Sequence, residues 1–269
     1  MPARLVVLGS ANTDMILRLE RIPRPGETIL GGEFMTAGGG KGANQAVAAA
    51  KLGAKVRMLG RVGNDGMGEM LIDNLRQNGV DTTSVFRDEQ AATGTAMILV
   101  DEKGQNSIVL SPGANGKVSP ADVENAPAAQ ILLLQLEIPL ETVLAAAKWG
   151  QAQGMRVLLN PAPARPLPES LLKSIDVLVP NETELSLLSG MPVQDLESAE
   201  AAARKLMEVG TFSVLVTLGE KGALYVRRDA PSRYIPAFPV EAVDTTAAGD
   251  AFIGGFVAAQ VNGYQGDVF

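Results

Sequence analysis

The chain has 269 residues, 46% of them apolar, and a formal net charge of −7. That is enough for one large domain, or a domain with a smaller appendage, and without a basic run it makes a poor partner for nucleic acid. Cysteine and histidine are both absent. Disulfides, thiolate metal sites, histidine-ligated zinc and Ser-His-Asp hydrolysis are therefore excluded, and proton transfer falls to Asp, Glu, Lys or Tyr.

In chain order, RLVVLG (4–9) predicts a core strand rather than a signal peptide, and ANQAVAAAKLG (43–53) a helix stopped by Gly53. KVRMLGRVG (55–63) predicts a strand and DGMGEMLIDNLRQNG (65–79) a helix. Strands follow at 130–136, 156–163, 176–180 and 213–219, with helices at 140–154, 182–190, 196–210 and from Ala248 to Val261. This alternation, with continuous apolar strands such as ILLL, predicts βαβ units. The expected fold is α/β: a mostly parallel central sheet covered by helices on both faces. Two stretches break the rhythm, 13–37 and 93–110, the second a hairpin turning at 102–104. Together they predict a small antiparallel β lid on a body formed by 1–12, 38–92 and 111–269. No apolar run reaches membrane-spanning length, so a soluble cytoplasmic protein is expected.

Four glycines surround a lysine in TAGGGKGANQA (36–46). Glycine there raises the entropy cost of ordering, which argues for a loop that approaches a ligand rather than a mere connector. It is not a Walker A loop, because Lys41 is followed by Gly42, and the turn GSANTD after the first strand lacks the dinucleotide fingerprint. That turn places Asn12 and Asp14 at the carboxyl end of a strand, where open α/β sheets bind ligands; Asp14 could also be a simple loop acid. In PNETELSLL, Asn181 and Glu184 have the spacing of an ordinary helix cap. VTLGEKGALYV reads equally as a hairpin. VDTTAAGDAF (243–252) opens an apolar helix, and capping alone would account for its threonines and acids.

AGGGKGANQAVAAAKLG and DTTAAGDAF, with GRVGNDGMG, LLLQLEIP, PNETE and VTLGEKGA between them in order, resemble the signature segments of the ribokinase family of carbohydrate kinases. The resemblance runs from Leu5 to the end. It implies ATP-dependent phosphorylation of a small sugar, ribose first, with a nucleoside or another sugar as the alternative. Asp250 would be the base, and the small residues Ala247, Ala248 and Gly249 would bare helix amides as an anion hole. Asn12, Asp14, Gly39, Gly40, Lys41, Asn44 and Glu137 would bind the sugar, under an apolar cover from Met97 and Ile98. Thr217, Gly219 and Gly222 would line the nucleotide, while Asn181 and Glu184 organise magnesium, mostly through water. Asp244, otherwise a turn-stabilising residue, would join Thr246 at a monovalent cation, usually potassium. The resemblance also implies a homodimer through the lid. Family members continue past this last helix, so further adenine and cation ligands are expected beyond Phe269. If residues 1–269 were the whole protein, Phe252, Phe256 and Val257 should leave part of an apolar surface uncovered. A non-catalytic sugar- or nucleotide-binding protein on the same fold stays open beside the kinase.

Overall fold

Residues 3–124, 126–241 and 245–264 are described by the computed structural model. The chain begins with β1 (Leu5–Leu8), β2 (Asn12–Arg18), β3 (Phe34–Gly39), α1 (Lys41–Lys51), β4 (Val56–Gly63), α2 (Gly66–Gln77) and β5 (Asp81–Asp88). It continues through β6 (Gly94–Val100), β7 (Asn106–Ser111), α3 (Pro120–Glu124), β8 (Ile131–Leu134), α4 (Leu140–Ala152), β9 (Arg156–Leu159) and α5 (Glu169–Leu172). It closes with β10 (Val177–Leu178), α6 (Glu182–Ser189), α7 (Leu196–Val209), β11 (Ser213–Thr217), β12 (Ala223–Arg227), β13 (Arg233–Ile235) and α8 (Ala248–Val261).

Nine strands form the main sheet in the order β13-β12-β11-β10-β9-β8-β1-β4-β5. Pairing is parallel from β5 to β11, and the last two strands return antiparallel. Side chains alternate across a strand. Along β1, Val6 and Leu8 enter one apolar cluster, with Val143, Ala202 and Leu206 from α4 and α7. Leu5 and Val7 enter the other, with Ala46, Leu75 and Phe256 from α1, α2 and α8. Both faces of the sheet are thus covered, as the unbroken apolar runs require. Burying each such Val or Leu contributes about 1.5–3 kcal/mol.

Helix α8 lies against α1, because Gly254 leaves room: a Cβ there would stand 2.5 Å from that of Ala48. The expectation of an uncovered α8 is corrected at two positions. Phe256 and Val257 are buried, Phe256 meeting the Tyr225 ring edge-on at 6.3 Å, and only Phe252 is exposed.

The smaller sheet runs β3-β2-β6-β7 and, among the described residues, makes no strand pairing with the larger one. Its outer pairings are antiparallel and its central β2–β6 pairing is parallel. Register sets Asp14, Ala96 and Leu110 in one row, and Ile16, Ile98 and Ile108 in the next row of the same face. Of the two residues expected over the sugar, Ile98 therefore shares the face of Asp14, whereas Met97, one position out of phase, lies on the opposite face. All six residues of the edge strand β7 are exposed. Among the described residues, no helix is long and apolar enough to cross a membrane.

Candidate active site

The turn after β1 and the loop between β3 and α1 pack against each other. Gly40 has φ of 89°, a conformation that favours glycine, and a Cβ there would stand 2.8 Å from the backbone nitrogen of Asn12. The loop thereby delivers the start of α1 to Glu137. A carboxylate oxygen of Glu137 accepts from the Lys41 backbone N–H at 3.1 Å and from the Ser10 hydroxyl at 2.5 Å. Helix α1 has no cap of its own, so this distant acid supplies the negative charge its N-terminus favours.

Asp14 stands nearby on β2, its carboxylate accepting no hydrogen bond from the described residues. Burial first, and then the charge of Glu137, push its carboxyl up to about 6. Asn12 is held by Asn115, whose side-chain NH₂ donates to Asn12 Oδ1 at 2.7 Å. Asn115 also accepts from the Ala11 N–H at 2.9 Å, so it fixes both the backbone and the amide orientation of the turn. Sequence reasoning passed over Asn115, which sits in a Pro-Gly-Ala-Asn stretch indistinguishable from an ordinary turn.

Helix α8 begins at Ala247, which has φ of 57°, a left-handed conformation uncommon for a residue with a Cβ, and offers no side-chain cap. The Ala248 N–H donates to the Thr245 carbonyl at 3.1 Å. The N–H groups of Gly249 and Asp250 have no partner among the described residues. Of the three residues expected to bare their amides, Ala248 therefore has its donor engaged within the turn. Asp250, in this first turn, is buried. Burial raises its carboxyl above the usual range, opposed by hydrogen bonds from Gln45 and Asn44 and by the charge of Lys41, while Glu137 adds to the rise. The Gln45 bond is 2.8 Å and the Asn44 bond 3.2 Å. Thr246 lies in the turn before the helix; Asp244 lies outside the described residues.

A cleft of about 1420 Å³ opens on one side of Asp250, lined by Asn181, Glu184, Thr217, Gly219 and Gly222 and by the first turn of α8. The side chain of Lys41 is also on this wall. Asn181 and Glu184 do form a capping box. Asn181 Oδ1 accepts from the Glu184 N–H at 2.8 Å, and Glu184 Oε2 accepts from the Asn181 N–H at 2.9 Å. Both nevertheless line the cleft, and each keeps a polar atom beyond the cap, Asn181 its NH₂ and Glu184 its Oε1. Glu184 is buried, and burial raises its carboxyl. Among the described residues no three acidic side chains gather as a metal cage. Glu184 lines the cleft together with Glu182 and Asp250, a carboxylate set compatible with a magnesium ion that keeps most of its waters. The β11–β12 hairpin is also real, so Thr217 and the glycines serve the turn and the cleft together. Phe238 and Val240, on the rim, went unremarked in the sequence because single exposed apolar residues are common.

A smaller cavity of about 450 Å³ lies on the other side, lined by Gly38, Gly39, Asn44 and Asn74. Asp250 and Ala247 line both spaces.

A doubly covered α/β sheet, a second small sheet, and an acid at a bare helix N-terminus between two cavities define a carbohydrate kinase. The chain matches the pfkB family carbohydrate kinase description over residues 2–267, and it belongs to that family. It is 46% identical over 263 residues to a ribokinase of Haemophilus influenzae, covering 96% of this chain and 86% of that protein. It is likewise 46% identical over 269 residues to a deoxyribokinase of Salmonella typhi, covering 98% and 87%. Among solved structures, Arabidopsis thaliana ribokinase complexed with ribose and ATP aligns with a TM-score of 0.91 at 39% identity, covering 98% of this chain and 87% of that one.

Proposed function

We propose that the chain transfers the γ-phosphoryl group of ATP to a hydroxyl of a small sugar, D-ribose, giving ribose 5-phosphate. The observation that carries this is the place of Asp250, which lines both the larger cleft and the smaller cavity. A nucleotide in the first and a sugar in the second would meet at its oxygens. The sugar hydroxyl gives its proton to Asp250, its oxygen forms a bond to the γ-phosphorus, and the bond from phosphorus to the ADP oxygen breaks. The N–H groups of Gly249 and Asp250 face the charge that develops on the transferred group.

Of the residues assigned to the sugar, Gly39 and Asn44 line the smaller cavity, whereas Asn12, Asp14, Gly40 and Glu137 do not line it and would reach the sugar from beside the start of α1. Lys41 spans the two sides, its N–H on Glu137 and its ammonium in the cleft. Thr217, Gly219 and Gly222 line the nucleotide, with Asn181 and Glu184 toward magnesium, which would neutralise phosphate charge when bound. Thr246 and Asp244 would serve a monovalent cation, potassium. The small sheet acts as a lid that excludes water, and two copies pair through it.

Relatives named for ribose and for deoxyribose are equally similar, so the test varies the sugar. ADP release with ribose, 2-deoxyribose and no sugar, and identification of the phosphorylated product, checks the reading. ADP release that is independent of sugar overturns it.

A further inference from the structure

Beneath Asp250 lies a cluster of three buried amides, Gln45, Gln135 and Asn160, none more than 6% exposed. Their hydrogen bonds run in one direction. The Asn160 NH₂ donates to the Val179 backbone carbonyl at 3.1 Å, which fixes Asn160 with its Oδ1 toward Gln45. The Gln45 NH₂ donates to that Oδ1 at 3.1 Å and to Asp250 Oδ1 at 2.8 Å. Gln45 Oε1, at the other end of the amide, accepts from the Gln135 NH₂ at 2.6 Å. A backbone carbonyl cannot turn over, so Asn160 cannot, and Gln45, held from both ends, cannot either. The carbonyl of Gln135 itself is left buried without a partner. An unpaired buried acceptor costs stability, and a cluster kept only for packing would gain from an apolar side chain of the same size.

We propose that Gln45, locked in orientation by Asn160 and Gln135, is a positioning residue that commits Oδ1 of Asp250 and leaves Oδ2 as the oxygen that takes the sugar hydroxyl's proton. Among the described residues Oδ2 accepts only from Asn44, at 3.2 Å, a residue that lines the smaller cavity. Asn44 can yield this bond to an incoming hydroxyl, whereas Gln45 is enclosed. The proton then moves from the hydroxyl to Oδ2 while the oxygen's electron pair closes on phosphorus and ADP leaves with the pair of the broken bond. This rests on Asp250 being the base.

The test pairs Gln135→Met with Gln45→Met, using acceptance of the proton as the readout. Gln135→Met touches neither Asp250 nor substrate and deletes the unpaired carbonyl. It removes one unpaired acceptor but leaves Gln45 Oε1 without its donor, so the melting temperature should shift by a few degrees at most; it should lower kcat about tenfold, leave KM for sugar and ATP within a few-fold, and move the acid limb of the kcat–pH profile to higher pH. The last shift is expected because an ionised Asp250 loses its fixed donor, with Lys41, Glu137 and Glu184 the other ionisable groups facing it. Gln45→Met should move the limb further. Combined with Asp250→Asn, neither variant should lower the rate again. A Gln135→Met protein that fails to fold, or that folds with its acid limb unmoved, overturns the proposal. Full turnover by Asp250→Asn alone would instead remove Asp250 from the base role, a separate failure that the same series identifies.

Discussion

The carboxylate of Asp14 lies directly over the Cα of Gly39, so closely that a Cβ on Gly39 would stand 2.1 Å from its Oδ2. Gly39 has an ordinary strand conformation, so only this contact forbids a side chain there. Gly39→Ala should push Asp14 aside and weaken sugar binding about 10–100-fold, the loss of one or two hydrogen bonds to a charged acceptor. ATP binding should change little. Calorimetric titration of each ligand checks this, and equal losses for both would show that the added methyl group disturbs more than Asp14.

Asp250→Asn keeps the side chain's size and its place in the first turn of α8. Turnover should fall by about 10²–10⁴, the range for a positioned general base, while sugar and ATP still bind. Steady-state kinetics with product quantification measures this; turnover within a few-fold of the parent would assign the carboxylate to structure.

Asp14 also gives stability a pH dependence. Its carboxyl is raised from 3.8 to about 6 in the folded chain, so the folded state holds the proton over a range where the unfolded state has released it. Stability of the ligand-free protein therefore falls as pH rises through that range, and the cost is fully present above about pH 6. Asp14→Asn should raise the melting temperature at neutral pH, with the gain fading toward pH 4. Scanning calorimetry across this range decides it, and a gain that persists below pH 4 would have another origin.

The exposed edge strand β7 invites a partner. A second copy pairing through the small sheet would cover Val109, Ile108 and Leu110, all about half exposed or more. Val109→Lys, in the row of Met97 and away from Asp14, should convert a dimer into a monomer in light scattering at micromolar concentration. A parent protein that is already monomeric would discard this assembly.

Elements with continuous apolar character were legible in the sequence, β1 and β8 above all, because burial on both faces leaves no room for a polar residue. Strand β5, DTTSVFRD, was not, since it pairs only with β4 at the sheet's edge and carries charges at both ends. In the site, Asp250 and Asn44 could be found within short motifs. Asn115, Gln45 and Asn160 act across more than a hundred residues of chain, and no local pattern marks an amide that will be buried. Gln135 alone left a trace, as the polar residue interrupting ILLLQL.

Among the described residues the two sheets share no strand pairing. Asn12, Asp14 and Gly39 sit on the smaller one, and Gly249 and Asp250 on a helix of the larger body. Inheritance can act on these halves separately. On the proposed roles, substitutions along β2, β3 and β6 would retune which sugar is accepted without disturbing the helix terminus proposed for phosphate, so a lineage could exchange one nutrient for another and retain its chemistry.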